Sequence, residues 1–495
     1  MHLIKSQKVY LEKILLVSLA AAGILFHLAQ FRFQRSLWHD EAALALNVVN
    51  KSYGEFFGPL DYNVAAPVGF LWLVKFLAGL FGESDFVLRL LPLTAGILSF
   101  VLFYKLLMAA VDYKTTFIAL GLLFFSRSFI RYTSEFKPYA SDILCVLILM
   151  LAIAHYIKGT PALNRNIHLG ILGGAVIWFS FPGVFVLAGA AICLSADYLY
   201  KKRYKEFNSF LLTCLFWIIS LGLLYFLSLR HAQDNVHLQE DWAHSFMPFS
   251  LNMFGWLGSA FKRMFEYPAG IHPLAGSFLF LIGSYAVLKR NRLLGLLFML
   301  PLALVFLASG LRLYPFEGRL LLFYVPFIYL FVAEGLAFFL KGSFIAKKIA
   351  GIILILIIFF PLVKNYPQDL MKLRFHEEIQ PVFSHVKERI LEDDAIYVHF
   401  GAIPAFEYYK KSFGLDQYRQ IPAAGAWIDW DRFKGELSHL KREGRVWIIF
   451  SYTRSNGVFT EETFIIHYLD MIGRRADTFN FIGASAYLYD FSKRG

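Results

Sequence analysis

Two adjacent carboxylates, Asp40 and Glu41, stand in the sequence Trp38-His39-Asp40-Glu41, a few residues after the apolar run 14 to 29. A carboxylate at the mouth of an apolar cavity is disfavoured in its charged form, so it can take a proton from an acceptor hydroxyl as a general base. The same pair also suits a helix start, because Asp is a good N-cap and Glu fits the first turn, and the stretch from Ala42 to Asn50 permits a helix. A second cluster, Asp61-Tyr62-Asn63, follows Gly58-Pro59-Leu60 and precedes the apolar and aromatic stretch Ala66 to Trp72. These are turn residues, and they are also the hydroxyl-recognising groups beside an aromatic surface that a sugar site needs.

Further charges sit at membrane depth. Arg89 opens the apolar run 86 to 108, and Arg127, Arg131, Glu135, Lys137, Tyr139 and Asp142 surround the next two runs. Each buried charge costs roughly 2.5 to 3.5 kcal/mol on insertion scales, so such residues face a cavity or pair with one another. Glu135 with Lys137, or Asp142 with Arg131, would neutralise each other, which does not conflict with substrate contact. The last cluster is Arg312-Leu313-Tyr314-Pro315-Phe316-Glu317-Gly318-Arg319. Arg312 and Arg319 could snorkel at an interface. With Tyr314, around a Pro/Gly turn, they could equally fork the phosphate of an anionic lipid headgroup. His231, His237, His244 and His272 have no metal-ligand spacing, so no cofactor is required, and a divalent metal stays open but unsupported. Cys145, Cys193 and Cys214 lie inside apolar runs, which argues for neither disulfide nor zinc.

These residues must be positioned by membrane helices. Of 495 residues, 58% are hydrophobic and 17% charged, against about 25% charged in a soluble domain. Runs of helix length lie near 14–29, 86–108, 115–130, 139–157, 167–181, 183–200, 208–229, 273–288, 293–309, 319–340 and 348–363, which makes eleven candidate spans. The ambiguous stretch 66–82 carries Lys75, Pro67 and three glycines. If it lies at the surface or re-enters, the basic clusters at Lys201 to Lys205, Lys289 to Arg292 and Lys341 to Lys348 share a side with the basic N-terminus. That puts the N-terminus in the cytoplasm and the tail outside. The external loops are then 30–85, 131–138, 230–272 and 310–318, which hold nearly every unusual polar cluster. The N-terminal run, without a clear small-residue cleavage site, reads as an uncleaved first helix.

From Lys364 to Gly495 there are 18 Lys+Arg and 18 Asp+Glu, so the net charge of +12 belongs to the membrane part. A nucleic-acid module would carry its basic patch on a soluble face, so no nucleic acid is expected. The tail alternates β-like runs (395–400, 446–452, 486–491) with helix-like stretches (375–391, 460–471), which predicts a small α/β domain. The expected fold class is an all-α polytopic bundle of about 11 to 13 transmembrane helices, residues 1–363. An external C-terminal α/β domain, residues 364–495, completes it. No internal repeat is visible, which weakens a reading as an inverted-repeat transporter.

In this order, Asp40-Glu41 after the first span, the stretch Asp61 to Trp72, Gly82 to Arg89, Glu135 to Tyr139 and the turn Tyr314 to Arg319 resemble the GT-C superfamily of integral-membrane glycosyltransferases. The nearest likeness is to the branch containing protein O-mannosyltransferases and the lipid A aminoarabinose transferase. The resemblance implies inverting transfer of a sugar from a polyprenyl-phosphate donor, in a bacterial inner (plasma) membrane, to a glycan, lipid or protein acceptor. It also implies Asp40 as catalytic base and Glu41 as supporting carboxylate. Substrate binding falls to Asp61, Tyr62, Asn63, Arg89, Arg131, Glu135, Lys137, Tyr139, Asp142, Arg312, Tyr314 and Arg319. The segment Lys137-Pro138-Tyr139-Ala140-Ser141-Asp142 departs from the acidic pattern of other branches, so Glu135 and Asp142 receive no more definite role. A lipid-linked glycan ligase or polymerase, a noncatalytic lipid-linked glycan transporter and a scaffold with a partner-binding tail remain the alternatives.

Overall fold

Apolar runs bounded by turn-forming polar residues become helices whose ends are capped where the chain re-enters a polar zone. Asp112 accepts from Thr115 N (3.1 Å) to start the helix Tyr113–Phe124, and Asn291 accepts from Leu294 N (3.1 Å) to start Arg292–Gly310. Such caps satisfy N–H groups that the helix itself leaves without partners. The computed structural model describes residues 2–33, 35–159, 162–341, 344–371, 377–423, 430–453 and 460–492. The chain is a multi-pass membrane protein whose described residues form two compact units. One comprises residues 1–33, 53–59 and 65–371; the other, 34–52, 60–64 and 372–495.

The first unit is all helix. Each of the eleven apolar runs carries a helix, and among the described residues eight are long and apolar enough to cross a membrane. The run 115–130 is divided: Tyr113–Phe124 ends, and Ser126 accepts from Phe129 N (3.4 Å) to open the separate helix Arg127–Thr133. The stretch 66–82 holds the helix Val68–Phe81, whose 14 residues give roughly 21 Å of length against a ~30 Å hydrocarbon core. Helices Pro273–Arg290 and Val325–Leu340 approach so closely that a Cβ at Gly283 would overlap the Phe331 carbonyl, and one at Gly335 the Leu279 carbonyl. Small residues allow this kind of backbone contact in membranes. At one end of the unit three turns are tied by charge. Lys341 pairs with Asp112, while Arg290 reaches Glu334 (2.9 Å) and the Ala110 carbonyl (3.1 Å).

The second unit is built on a five-stranded sheet of β1 (Ala395–Val398), β2 (Arg419–Pro422), β3 (Arg445–Ser451), β4 (Arg474–Phe481) and β5 (Ala484–Asp490), in the order β2-β1-β3-β5-β4. Strands β1, β2 and β3 are parallel, and β5 and β4 join antiparallel. The central strands β1 and β3 are almost wholly buried, as their unbroken apolar runs require, while the edge strand β4 carries Arg474, Arg475 and Asp477. Such a charged edge discourages further strand pairing. Tyr397, Ile448, Leu469 and Tyr489 belong to the core beneath this sheet. The unit also takes in residues 34–52 and 60–64 from far upstream, including the helix His39–Asn50.

Candidate functional site

Asp40 and Glu41 lie in the first turn of the helix His39–Asn50, where negative charge is favoured by the helix dipole. Asp40 is half-buried and Glu41 fully buried. No side chain of the N-cap residue Trp38 caps this helix. Its first N–H is taken instead by the tail: Glu377 Oε2 accepts from His39 N at 2.9 Å and from Ser451 Oγ at 3.3 Å. The His39 ring lies with Nδ1 2.9 Å from Gly401 O and stacks on Tyr452 at 4.5 Å between centroids. Just upstream, Tyr409 OH accepts from Leu37 N (2.8 Å), and Glu378 Oε2 accepts from Ser36 N (3.2 Å) and Ser36 Oγ (3.1 Å). Burial pushes the Glu377 carboxyl up to about 8, and the neighbouring charges of Asp40 and Glu41 add to the rise. The hydrogen bonds from His39 N and Ser451 oppose it.

Asp61, Tyr62 and Asn63 belong to the same unit, on an exposed turn in which Tyr62 (φ 63°) and Asn63 (φ 52°) are left-handed. Asn47, buried on the acidic helix, holds this turn: its Oδ1 accepts from Asp61 N (2.9 Å), and its Nδ2 donates to Asp61 O (3.2 Å). The Asp61 carboxylate pairs with Lys51 at 3.1 Å. Partial burial, with the Glu407 and Asp61 charges, raises the Tyr62 phenol.

The first unit contains a cavity of about 630 Å³ among its helices, lined by Tyr139, Asp142, Phe185, Trp242, Tyr314 and mainly apolar neighbours. That size and composition, apolar with a few convergent polar groups, is typical of small-molecule sites. Asp142 is buried on the first turn of Tyr139–Lys158 beside the Ser180 hydroxyl, and its Oδ1 accepts no hydrogen bond of ordinary geometry among the described residues. Buried polar atoms are nearly always satisfied, so an orphaned carboxylate oxygen on a cavity wall marks a place for a ligand donor. Tyr314 donates to Leu320 O (2.9 Å) and packs edge-on against Phe185. Burial, then the Asp142 charge and Tyr139, push the Tyr314 phenol well above its ordinary value. The Arg319 guanidinium lies 5.7 Å from the ring centroids of both Tyr139 and Trp242, a geometry in which cation and ring attract.

The remaining predicted residues fall outside this cavity's wall. Arg131 Nε meets Glu135 Oε1 at 2.5 Å, so Glu135 pairs with Arg131. Lys137 is buried in the turn that follows, its N–H bonded to Glu135 O (2.8 Å). Arg89 is buried where the short helix Asp85–Leu88 meets Leu90–Ala110. Arg312 is exposed, with φ 56°, beyond the end of Arg292–Gly310. Among the described residues no three His, Cys, Asp or Glu come together as a metal-ligand set. Sequence reasoning missed His39, Glu377, Trp242 and the hydroxyl contact between Tyr132 and Tyr267. Only His39, adjacent to the acidic pair, carried a local signal.

No protein-family model and no curated protein matches the sequence. Solved structures do. The crystal structure of ArnT from Cupriavidus metallidurans bound to undecaprenyl phosphate aligns over 96% of this chain and 97% of its own, at 9% identity and a TM-score of 0.57. The apo form of the same protein aligns over 98% of both chains, at 9% identity and a TM-score of 0.56. ArnT is the lipid A aminoarabinose transferase, a GT-C membrane glycosyltransferase, and this chain shares its fold from end to end. The resemblance carried by the ordered motifs is thus borne out in the fold.

Proposed function

We propose that the chain is a GT-C-type glycosyltransferase moving a sugar, with inversion, from a polyprenyl-phosphate donor to an acceptor at the outer face of the membrane. The observation that carries this reading is the aromatic-lined cavity with the orphaned Asp142 oxygen, in a fold shared with a protein crystallised on undecaprenyl phosphate. Tyr139, Trp242 and Tyr314 supply the flat faces that sugar rings stack on, and Asp142 Oδ1 accepts from a sugar hydroxyl or amine. Asp61, Tyr62 and Asn63, which belong to the other unit, are proposed for hydroxyl recognition on the motif resemblance alone. Arg131 with Glu135, Lys137 and Arg89 support the backbone around the donor.

In the reaction, the acceptor oxygen attacks the anomeric carbon opposite the phosphate, and the carbon–phosphate-oxygen bond breaks as the new glycosidic bond forms. The electron pair leaves with the polyprenyl phosphate, whose charge Arg319 and Arg312 stabilise, so no acid is needed at the leaving group. On the motif resemblance, the acceptor proton is assigned to Asp40 as base, with Glu41 as the supporting carboxylate. Membranes holding wild type or Asp40→Asn, given a panel of labelled polyprenyl-monophosphate sugars and an envelope extract, test this directly. Transfer by wild type that disappears in the variant supports the reading. Equal transfer by both removes Asp40 as base, and a requirement for a diphosphate-linked oligosaccharide favours the ligase or polymerase.

The basic turns at Arg290 and Lys341, together at one end of the first unit, support a cytoplasmic placement for that end and for the N-terminus, with the tail outside. A cysteine replacing Lys441 should then react with a membrane-impermeant maleimide in intact cells or, for an inner membrane, in spheroplasts. Labelling only after lysis would reverse the topology.

A further inference from the structure

The tail's sheet carries a feature that the transferase reading leaves unused. In open sheets with parallel strands, ligands bind at the carboxyl ends of the strands. Here the carboxyl ends of β1 and β3 run into His399 to Ala402 and into Ser451-Tyr452. Their backbones approach so closely at Gly401 that a Cβ there would lie 2.5 Å from Ser451 O and 2.7 Å from Tyr452 O. The position is occupied by the chain's own upstream segment. His39 reaches Gly401 O and stacks on Tyr452, and Glu377 bridges His39 N and Ser451 Oγ. Tyr409, on the helix Ile403–Phe413 that follows β1, accepts from Leu37 N. Every one of these bonds falls within two or three residues of Asp40.

We propose that the α/β tail is a clamp for the catalytic helix, with Glu377 as a positioning residue that fixes the first turn carrying Asp40 and Glu41. The inference rests on the glycosyltransferase reading for its consequence in turnover, but its structural content stands apart from it. Glu377 acts in place of an N-cap that the helix lacks, holding the backbone of the residue immediately before Asp40. A base held by a helix start can be displaced by about an ångström without any loss of substrate contacts, so the step at risk is chemistry rather than binding.

The test uses the full-length protein in detergent or nanodiscs as wild type, Glu377→Ala and Glu377→Gln. Backbone hydrogen exchange is followed over residues 36–44, and transfer from the polyprenyl-monophosphate sugar panel is followed in parallel. Glu377→Ala is expected to speed exchange in that window and to lower kcat on the order of 100-fold with the donor KM unchanged, the scale of a 1 Å misplacement. Glu377→Gln keeps an acceptor for His39 N and is expected to restore most of both. Unchanged exchange in Glu377→Ala would overturn the clamp, as would a fall in turnover that appears wholly in KM. If wild type transfers from no donor on the panel, the transferase reading fails while the exchange data still decide the clamp. Should Glu377→Ala not fold, Tyr409→Phe removes a single hydroxyl and must speed exchange at Leu37 if the clamp exists.

Discussion

Two buried carboxylates, one in each unit, have opposite surroundings. Glu377 has its oxygen engaged by a backbone N–H and a serine hydroxyl, in a pocket closed by its own fold. Asp142 is equally buried, yet its Oδ1, beside the Ser180 hydroxyl, accepts no hydrogen bond of ordinary geometry on the wall of an aromatic cavity. Burial is common to both, so it does not distinguish structure from recognition. Satisfaction does: a carboxylate whose lone pairs are filled by its own chain is a fastener, and one left unfilled in a cavity is a receptor.

The largest expected effect separates chemistry from recognition. Asp40→Asn should lower kcat by about 10²- to 10⁴-fold, the range of a lost general base, with little change in donor KM. Asp142→Asn should act mainly through KM, because a hydrogen bond worth about 0.5 to 1.5 kcal/mol corresponds to roughly 2- to 12-fold in binding. Steady-state kinetics with the same labelled donor checks both. If Asp142→Asn removes kcat and leaves KM alone, the distinction between the two units' acids collapses.

A smaller effect sharpens the same contrast through stability. Removing an unfilled carboxylate from an apolar wall removes a desolvation penalty, so Asp142→Leu should keep or raise the thermal midpoint in detergent while binding is lost. Glu377→Leu strands the His39 N–H and Ser451 hydroxyl, and should lower the midpoint by the equivalent of about 1 to 3 kcal/mol. A midpoint that falls more for Asp142→Leu than for Glu377→Leu would show that Asp142 has a structural partner.

The two regions also differ in how far the sequence disclosed them. The helix carrying Asp40 and Glu41 was legible because its acids, its alanine-rich continuation and the preceding apolar run are all local. The attachment of that helix to the tail was not, since His39 and Glu377 are 338 residues apart and no periodicity links them. The alternating runs at 395–400, 446–452 and 486–491 disclosed three of the sheet's five strands, while the short β2 and the charged edge strand β4 carried no apolar alternation to find them by. In the first unit, Tyr139, Asp142 and Tyr314 were readable as polar residues beside apolar runs. Trp242 was not, because it closes a short helix, Val236–Asp241, in a polar stretch with no apolar periodicity. The break at Ser126 was hidden for a related reason: a single capping hydroxyl in an apolar run hardly alters its hydropathy, but it ends one helix and begins another.

The last expected effect is a pH dependence that belongs to Glu377. An ordinary Glu ionises near 4.5, whereas here burial and the adjacent Asp40 and Glu41 charges lift the group to about 8. With the folded value above the unfolded one, the neutral carboxyl favours the native state. That contribution is complete below about pH 4.5 and is lost progressively as pH rises to about 8, beyond which it is gone. Glu377→Gln fixes the group neutral, so the thermal midpoint of this variant should decline less than that of wild type between pH 5 and 8. Parallel curves for the two proteins would place the charged form in the native clamp, with the His39 N–H and Ser451 outweighing burial. The fastener would then be a full anion at the start of the acidic helix, beside Asp40 and Glu41.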